Sequence, residues 1–475
     1  MTSWETVVGL EVHVQLATRS KLFCGCSTRF GEAPNSNVCP VCLGLPGALP
    51  VTNEAAVRLA VRAALAIGGT VHPVSVFARK NYFYPDLPKG YQISQFDRPI
   101  ATGGGVICES PERGTIRVGV TRLHLEEDAG KLLHDRIPGM SAVDLNRAGV
   151  PLAEIVTEPD LRSAAEARAF LNALKQLLLY TGVSECNMEE GSLRVDANVS
   201  LRMSGAATLG TKTELKNMNS FSNVERAIDA EQARQRAVLE AGGSVDQVTL
   251  LFNATTGQVR PMRSKEESHD YRYFPDPDLP SVRIEPPWID AERSALPELP
   301  EEKRRRYAEE LGLSGYDARA LAADRTVADY FEATVKAGVP AKTAANWVMS
   351  DVMAQFNESA NLPVSPERLA DLILLVDAGT VSHQAARKVF AELARDASSP
   401  AAVAARLGLI QVRDQRALDP WIDEVLAAHP DEVRRYREGE SKLLGFLVGQ
   451  VMKKSRGSAD PKVISNLLAT RLSDV

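Results

Sequence analysis

One segment near the start of the chain alternates apolar and polar side chains over nine consecutive positions. Its apolar members occupy the even positions and are Val8, Leu10, Val12, Val14 and Leu16. Side chains of a β-strand point alternately to its two faces, so this pattern predicts a strand with one buried face. Glu11, His13 and Gln15 then share the opposite face, and a rise of ~3.3 Å per residue puts Glu11 and His13 about 7 Å apart.

The same alternation recurs in three later segments, at 116–126, 193–201 and 212–216. In the first of them the apolar residues shift from even to odd positions, which predicts a β-bulge. The polar residues on these faces are Arg122, His124, Glu126, Arg194, Asp196, Asn198, Ser200, Lys212, Glu214 and Lys216. Each face taken alone fits the solvated side of an antiparallel sheet. Taken together, their carboxylates, histidines and arginines favour a surface that holds metal ions, phosphates and a polar substrate.

A single carboxylate interrupts an otherwise apolar run, Pro151-Leu152-Ala153-Glu154-Ile155-Val156. Glutamate is rarely buried unless it is paired with a positive charge or bound to a metal ion. The sequence therefore leaves two interpretations of Glu154 open, a buried ion pair or a metal ligand.

Two loops interleave basic residues with aromatic ones, from 79 to 92 (RKNYFYPDLPKGYQ) and from 271 to 278 (YRYFPDPD). Proline and glycine punctuate the loops, which we interpret as binding loops. Their aromatic rings can stack on a nucleobase while Lys80 and Lys89 meet phosphates, or the rings can serve as hydrophobic plugs, and both roles stay open. The candidate cofactor-binding residues are Tyr82, Tyr84, Asp86 and, on the 193–201 face, Asp196.

Four of the six cysteines lie close together near the start of the chain. They are Cys24, Cys26, Cys39 and Cys42, a C-x-C pair and a C-x2-C pair with twelve residues between the pairs. This spacing suits a closed tetrahedral Zn2+ site. A redox pair or a catalytic thiol is less favoured, because one metal ion accounts for all four thiols.

Proline and serine punctuation divides the chain into three regions. Up to about residue 290, alternating segments mix with helices, whose starts we place at Ser163 and Ser222 because each has a glutamate three residues later. A proline-rich stretch at 285–300 cannot continue a helix or a central strand, and Ser398-Ser399-Pro400 marks a softer break. We therefore predict an α+β domain at 1–293, an all-α domain at 294–405 and a helical tail domain at 406–475.

Charge bounds the partners that the chain can have. A net charge of -6 and a pI near 5.8 exclude a surface coated in nucleic-acid-binding charge, so RNA must be bound by local basic patches. Residues 441–475 carry six Lys or Arg against two Asp, hence +4, and are a candidate anion-binding tail, in which Asp460 and Pro461 should begin a helix. With no leader pattern and no apolar run of about 18 residues, we expect a cytoplasmic protein.

Five motifs carry a resemblance to a known family. They are GLEVHVQL from Gly9, KNYFYPDLPKGYQISQFD from Lys80, RLHLEEDAGK from Arg122, EGSLRVDANVS from Glu190 and YRYFPDPDL from Tyr271. In these residues, and over essentially its whole length, the chain resembles the B subunit of the tRNA-dependent Asp/Glu amidotransferase. The resemblance implies a largely antiparallel cradle domain with an active site related to that of glutamine synthetase, a helical domain, and a small helical tail that contacts tRNA.

The resemblance also implies a reaction. ATP phosphorylates the carboxylate of a mischarged Asp-tRNA(Asn) or Glu-tRNA(Gln), and ammonia then displaces phosphate to leave the amide. By motif matching, His13, Glu126 and Glu154 would hold Mg2+, and a histidine ligand also suits Mn2+. Glu11 would be a further ligand or an orienting group. The candidate contacts to phosphate or substrate are Lys80, Lys89 and Arg194.

Ammonia has no source within the sequence, which shows neither an amidase signature nor a cysteine nucleophile suited to glutamine hydrolysis. The resemblance implies that a glutaminase subunit supplies ammonia and that another, small subunit completes a heterotrimer. An alternative function is a non-catalytic tRNA-binding adapter, whose strands and tail only position RNA for a partner enzyme. Replacing His13 or Glu126 would distinguish the two, because only the catalytic interpretation requires them for ATP hydrolysis.

Overall fold

The computed structural model describes residues 3–262, 271–359, 361–455 and 457–473, which fall into two compact units, Met1–Glu302 and Lys303–Val475. The first unit combines a large sheet with helices. The described part of the second unit is helical apart from isolated β-bridges. The predicted α+β class, with a largely antiparallel sheet followed by helical regions, is confirmed, while the three-way division at 293/294 and 405/406 stays a prediction.

The strands of the described residues all lie in the first unit. Their bounds are β1 Trp4–Gln15, β2 Thr70–Val71, β3 Val74–Ser75, β4 Ala78–Asn81, β5 Tyr91–Ser94, β6 Ala101–Thr102, β7 Gly105–Ser110, β8 Gly114–Glu127, β9 Lys131–Ile137, β10 Met140–Asp144, β11 Pro151–Thr157, β12 Leu193–Met203, β13 Thr213–Met218, β14 Thr249–Asn253, β15 Gln258–Pro261, β16 Phe274–Pro275 and β17 Val282–Arg283.

One ten-stranded sheet organises this unit. Its order is β15-β14-β13-β12-β1-β11-β8-β6-β2, and β7 pairs with β8 outside that path. Neighbours run antiparallel except for β13 and β14, which are parallel. A three-stranded sheet, β16-β4-β5, and two pairs, β9–β10 and β3–β17, complete the set. The first strand of the chain thus lies between β11 and β12, which come much later in the sequence.

The alternation predicted from the sequence is confirmed in the sheet. Along β1 the even positions from Val8 to Val14 are buried, while Glu11, His13 and Gln15 lie on the other face and are partly exposed. The predicted bulge in β8 is confirmed at position 121, because consecutive residues of β11 pair with residues 122 and 120 of β8. The bulge explains why the apolar positions of β8 change from even to odd.

Helices cover the apolar face of the sheet. In the first unit they are α1 Glu54–Ala66, α2 Ala164–Tyr180, α3 Phe221–Glu240 and α4 Pro286–Ser294. Ser163 caps α2 as predicted, its hydroxyl accepting a hydrogen bond from the Glu166 N–H at 3.2 Å. The predicted start of α3 at Ser222 is wrong. Ser220 has the extended backbone of a cap and accepts from the Asn223 N–H at 3.1 Å, so the helix begins two residues earlier.

The proline-rich stretch does not exclude helix, contrary to the sequence prediction. Pro286 and Pro287 occupy the first turn of α4, where a missing backbone N–H costs nothing. From this short helix Glu292 is buried and accepts hydrogen bonds from Arg58 and Arg62 of α1 at 3.0 and 2.9 Å. The stretch therefore packs against the first unit instead of forming a bare linker.

The remaining helices begin at residue 300. They are α5 Pro300–Glu309, α6 Gly315–Leu321, α7 Arg325–Lys336, α8 Ala341–Trp347, α9 Met353–Ser359, α10 Pro366–Asp377, α11 His383–Leu393, α12 Pro400–Arg406, α13 Gln415–Ala428, α14 Pro430–Arg437, α15 Leu443–Lys454 and α16 Pro461–Ser473, with a π-helical turn, Val348–Val352, between α8 and α9. Their apolar faces form two clusters, one from Tyr307 to Ala404 and one from Leu418 to Leu472. Among the described residues, no helix is both long enough and apolar enough to cross a membrane.

The C-terminal tail is less basic in three dimensions than its sequence suggests. Asp460 caps α16 as predicted, accepting from the Lys462 N–H at 2.8 Å. However, Lys454 pairs with Glu424, and Arg471 lies 2.5 Å from Asp419, both acidic partners belonging to α13. The charge count of +4 also includes positions 456 and 474, which lie outside the described residues. Neutralisation by α13 leaves a smaller anion-binding surface than the count implied.

Candidate active site and metal sites

Polar side chains from adjacent strands meet on the face of the sheet opposite the helices. His13 of β1 pairs directly with Glu154 of β11 on one side and with Arg194 of β12 on the other. Glu154 pairs in turn with His124 of β8. Directly opposed residues of antiparallel strands point to the same face. Four ionisable side chains from four strands therefore lie in one row.

Three of the predicted metal ligands converge at this row. The Nε2 atom of His13 lies 3.3 Å from Glu154 Oε2 and 3.8 Å from Glu126 Oε1. One ligand atom from each of the three residues lies within 4.8 Å of the others. A nitrogen and two carboxylate oxygens, held by a rigid sheet, fit a divalent cation, and the structure brings together the residues that the motifs selected.

His124 completes the group and was not among the ligands predicted from the sequence. Its Nε2 lies 3.2 Å from Glu154 Oε2 and 3.6 Å from Glu126 Oε2, and the side chain is almost fully buried. Its Nδ1 has no hydrogen-bond partner among the described residues. The signal that could have identified it was present, because the alternation in β8 already placed His124 beside Glu126.

The charges of this group stabilise one another. Burial alone would lower the pKa of His124, but hydrogen bonds to Glu126 and Glu154 and their charges raise it to about 9. The pKa of His13 is raised for the same reason against the same opposing effect of burial. Burial would raise the pKa of Glu154, yet its two histidine partners hold that pKa well below the usual range. The site therefore favours an ionised carboxylate at its centre.

A second carboxylate group lies further along the same face. Glu11, Asp196 and Glu214 each offer an oxygen within 4.8 Å of the others. Asn198 Nδ2 donates to Glu11 Oε1 at 3.0 Å, and Lys216 Nζ lies 2.7 Å from Asp196 and 2.9 Å from Glu214. Lys216 thus pairs with two of the three carboxylates, and Asn198 donates to the third.

Arg194 is oriented by a buried carboxylate. Its guanidinium donates to Asp128 Oδ1 at 2.8 Å, while Gln15 donates to the other oxygen at 2.9 Å. Arg147 lies 3.6 Å from the same oxygen as Gln15. Burial would raise the pKa of Asp128, but the charges of Arg194 and Arg147 lower it. Asp128, absent from the sequence-based candidates, fixes Arg194 on the polar face next to His13.

Lys80 belongs to strand β4, because the segment 79–92, predicted as a loop, begins in β4 and ends in β5. Its ammonium is 4.8 Å from the ring of Tyr271 and 5.8 Å from that of Tyr82. Burial would lower the pKa of Lys80, but Glu126, Tyr273, Tyr271 and Glu154 together outweigh it and raise that pKa. The pKa of Tyr82 is raised by burial and by the charge of Glu126. Lys80 and Tyr82 thus face the carboxylates of the His13 group.

The other candidates of this loop are placed differently. Tyr84 is 49% exposed, and Asp86 is partly exposed, its backbone carbonyl accepting from the Gly130 N–H at 2.9 Å. Lys89 pairs with Glu127, whose side chain also accepts from the Ile93 N–H at 2.9 Å. Glu126 and Glu127 are consecutive residues of one strand and point to opposite faces. The structure therefore does not bring Lys89 to the His13 group, because its partner lies on the other face of β8.

The sequence of the chain matches known protein families over most of its length. Residues 6–290 match the family model described as the GatB/GatE catalytic domain, and residues 329–472 match the one described as the GatB domain. The chain belongs to the GatB family. The first match contains every member of the His13 group, so the polar face lies in the part that the family defines as catalytic.

Relatives match over the full length. The chain is 53% identical to a protein of Geotalea uraniireducens and 52% identical to one of Geobacter sulfurreducens, each alignment covering 99% of both chains. It is 53% identical to a protein of Thermosynechococcus vestitus, with 99% of this chain and 97% of the relative covered. All three relatives are named as the B subunit of aspartyl/glutamyl-tRNA(Asn/Gln) amidotransferase. Membership in the GatB family thus rests on the whole chain.

The four cysteines of this GatB-family chain form a compact cluster. The Sγ atoms of Cys24, Cys26, Cys39 and Cys42 all lie within 4.8 Å of one another. The hydrogen bond between the Cys24 and Cys42 thiols lowers the pKa of Cys42 to about 4 and raises the pKa of Cys24 well above its usual range. The Cys39 N–H donates to the Cys42 sulfur at 3.2 Å. Four converging sulfurs fit a zinc ion.

A fully buried lysine adjoins this cluster. Lys21 Nζ lies 3.6 Å from Cys42 Sγ and donates to the carbonyl oxygens of Asn37 at 2.7 Å and Leu145 at 3.3 Å. A buried ammonium is costly without a negative partner. The Cys42 sulfur is the group among these three contacts that can carry negative charge, so the surroundings of Lys21 suit an anionic metal–thiolate cluster.

Proposed function

We propose that this chain amidates the side-chain carboxylate of Asp-tRNA(Asn), Glu-tRNA(Gln) or both, in an ATP-dependent reaction on the polar face of β1, β11 and β8. The observation that carries the proposal is the convergence of His13, Glu126 and Glu154 within the family's catalytic domain. As a member of the GatB family, the chain is one component of a multi-subunit amidotransferase. Such an enzyme requires ATP, and this chain requires partner chains.

The His13 group is proposed to hold Mg2+ or Mn2+. Two carboxylate oxygens suit both ions, while the imidazole nitrogen is less usual for Mg2+ and suits Mn2+ better. When bound, such an ion neutralises charge on the phosphate oxygens of ATP. His124, which is almost fully buried, contacts both carboxylates from the β8 end of the row and is proposed to orient them.

Positive side chains around this group are proposed to receive the phosphates and the substrate. Lys80 faces Glu126, and Arg194 is fixed next to His13 by Asp128. Glu11 is proposed as a further ligand or orienting group at the edge of the site. The candidate cofactor-binding residues remain Tyr82, Tyr84, Asp86 and Asp196. Of these, Tyr82 is the one whose pKa is raised by the charge of Glu126, in addition to burial.

Two displacements complete the reaction. A carboxylate oxygen of the aspartyl or glutamyl side chain attacks the γ-phosphorus of ATP, and the bond to ADP breaks. Ammonia then attacks the acyl carbon of the resulting acyl phosphate, phosphate leaves with the electron pair of the broken C–O bond, and the nitrogen loses a proton to become the amide. Preorganised charge is the main contribution that a protein makes to such steps.

Ammonia, tRNA and zinc complete the proposal. Ammonia is proposed to come from a glutaminase chain, joined to this one and to a third, small chain in a heterotrimer. The helical tail at 406–475 is proposed to contact the tRNA, and the four cysteines are proposed to hold a structural zinc ion.

Deleting 406–475 should weaken tRNA binding and reduce its salt dependence. An unchanged tRNA affinity would contradict the assignment of the tail.

The decisive experiment compares site residues with a histidine far from the site. His13→Ala and Glu126→Ala should abolish tRNA-dependent ATP hydrolysis by the assembled enzyme while leaving tRNA affinity nearly intact. His134→Ala is the matched control, because His134 is exposed on β9, where its Nδ1 lies 2.8 Å from Ser141 Oγ. Retained ATP hydrolysis in both site variants would overturn the catalytic role and favour a tRNA-binding adapter instead.

A further inference from the structure

Two aromatic rings, one just after β5 and one just before β16, form a flat, solvent-open stack beside the three-stranded sheet. The rings of Phe96 and Tyr273 lie 4.3 Å apart, centroid to centroid, with only 9° between their planes. Phe96 is 59% exposed, whereas Tyr273 is partly buried. A ring that served as a hydrophobic plug would be covered on both faces. Here Tyr273 backs one face of Phe96 and much of the remaining ring is open to solvent.

The Tyr273 side of the stack is held rigidly. Asn81 Nδ2 donates to the carbonyl oxygen of Arg272 at 2.8 Å, and the Asn81 N–H donates to that of Tyr271 at 2.9 Å. Arg272 has a φ of +46°, a left-handed conformation that a non-glycine residue seldom adopts. Such strained positions persist where the surrounding structure enforces them, often at functional sites. The strain at Arg272 sets the direction of the chain that carries Tyr273.

The stack lies beside the proposed active site. Ser94 Oγ donates to Glu126 Oε2 at 3.2 Å, and Phe96 follows two residues later, about 7 Å along an extended chain. On the other side, the ring of Tyr273 is 6.2 Å from that of Tyr271, which in turn lies 4.8 Å from the Lys80 ammonium. The stack, a positive charge and a metal-binding carboxylate are therefore neighbours.

These three features match the parts of a nucleotide. Every nucleobase has a flat π-face, and bases bind proteins by stacking on exposed aromatic rings with positive charge nearby for the phosphates. We propose that the outer face of Phe96, backed by Tyr273, is the stacking platform for the adenine base of an adenosine-bearing substrate. The proposal rests on the proposed function, because that reaction has two such substrates, ATP and the aminoacylated terminal adenosine of tRNA.

The test separates aromatic stacking from mere apolar contact. Phe96→Leu keeps the residue apolar but removes the π-face, whereas Phe96→Tyr keeps the face. In the assembled enzyme, Phe96→Leu should raise KM roughly five- to 100-fold for the substrate whose adenine stacks there, and Phe96→Tyr should stay close to wild type. Phe30→Leu is the matched control, because Phe30 is 66% exposed and lies outside the stack.

Separate titrations of ATP and of tRNA identify which adenosine is bound. A rise in KM for ATP alone assigns the platform to ATP, and a rise for tRNA alone assigns it to the terminal adenosine. Both KM values unchanged in Phe96→Leu, or a fall in kcat alone, would overturn the proposal. It would also be overturned if Phe96→Leu lost its partner chains during purification, since the exposed ring would then be part of an interface with them.

Direct binding keeps this proposal distinct from the proposed function. Equilibrium binding of a fluorescent ATP analogue and of tRNA is measured for wild type and Phe96→Leu in the same complex. If His13→Ala retained ATP hydrolysis, the proposed catalytic role would fail, yet weaker binding by Phe96→Leu would still support the platform. If His13→Ala abolished hydrolysis while Phe96→Leu bound both ligands normally, only the platform would fail.

Discussion

Two of the candidate metal groups of the first unit, the cysteine cluster and the His13 group, are built in opposite ways. All four residues of the cysteine cluster lie in one short segment of the chain, between Cys24 and Cys42. The His13 group draws on three strands, β1, β8 and β11. His13 lies more than 100 positions before Glu126 and Glu154, which lie on two strands that pair with each other. A local cluster can form wherever its loop closes, whereas the distributed one requires the sheet. We therefore expect the cysteine cluster to affect mainly the stability of its own segment, and the His13 group to affect mainly the catalytic rate.

The largest expected effect tests the distributed group. Glu154→Gln keeps the shape of the side chain but removes the charge that both histidines face. Since preorganised charge accounts for most of the rate in phosphoryl transfer, we expect tRNA-dependent ATP hydrolysis to fall roughly 100- to 1,000-fold. Zinc content, measured in the same preparation, should stay at the wild-type level. A parallel loss of zinc would show that the two groups are not independent.

The local group should respond in the reverse sense. Cys42→Ser removes the sulfur that Lys21 and the Cys39 N–H contact, so the cluster should lose its metal. We expect the free energy of unfolding of the first unit to fall by more than the ~0.5 to 3 kcal/mol of most substitutions, because loss of a metal is among the few causes of larger effects. Thermal unfolding with and without a chelator measures this effect. Chelator should destabilise wild type and leave Cys42→Ser unchanged; equal sensitivity of both proteins would contradict a metal at this cluster.

Another buried glutamate, Glu166, provides the reference for the first prediction. Glu166 accepts hydrogen bonds from Ser110 at 2.7 Å, from Arg113 at 2.6 Å and from the Arg162 N–H at 2.7 Å, with no histidine in these contacts. Glu166→Gln should cost about 1.5 to 3 kcal/mol of stability and leave ATP hydrolysis unchanged, because the carboxylate only holds structure.

The pH dependence of this reference variant has a definite sign. Burial would raise the pKa of Glu166, but the hydrogen bonds from Arg113 and Ser110 lower it below its ordinary value. A carboxyl with a lowered folded-state pKa stabilises the protein above its unfolded pKa, and the contribution is lost as pH falls through the folded value. The stability gap between wild type and Glu166→Gln should thus be full at pH 7 and shrink below about pH 4. A gap that widened in acid would contradict the assignment.

The smallest expected effect concerns the charge of the cysteine cluster. Lys21→Met preserves the volume and apolar stem but removes the ammonium beside Cys42. Groups that hydrogen-bond to metal ligands typically change metal affinity by about 10- to 100-fold, so metal should be released to a competing chelator at correspondingly lower concentration. Lys131→Met, at an exposed lysine of β9, is the control. Unchanged metal affinity in Lys21→Met would mean that the ammonium only fills space.

The same contrast explains how much the sequence predicted. The period-two pattern determines which face a strand residue occupies, so Glu11 and His13 were placed correctly, and the spacing of the cysteines predicted a cluster that closes within one loop. Register between strands has no such local signal. The pairing of Glu154 with His13 and His124 depends on how three strands align. For this reason the residue pattern alone left Glu154 open and placed His124 on the polar face without identifying its partners.

Loops and charges were predicted less well for a related reason. Lys80 and Lys89 are both lysines of the segment 79–92, yet only Lys80 faces the His13 group. The partner of Lys89, Glu127, lies on the opposite face of β8. The tail looked basic because its acidic partners belong to α13, which packs against α15 and α16 from outside the counted segment. For Lys89 and for the tail alike, residues distant in sequence decide which positive charges are already paired and which can still bind an anion.

The central position of β1 has a consequence for how the chain is made. His13 leaves the ribosome 141 residues before Glu154, its partner on β11, and still earlier relative to β12. At about 5 to 20 residues per second, this strand waits roughly 7 to 28 s for its first neighbour. During that time it presents an unpaired, half-apolar edge, the kind of surface that promotes aggregation. Biosynthesis of this chain thus has a vulnerable interval at its beginning, which ends only when translation has passed the middle strands of the sheet.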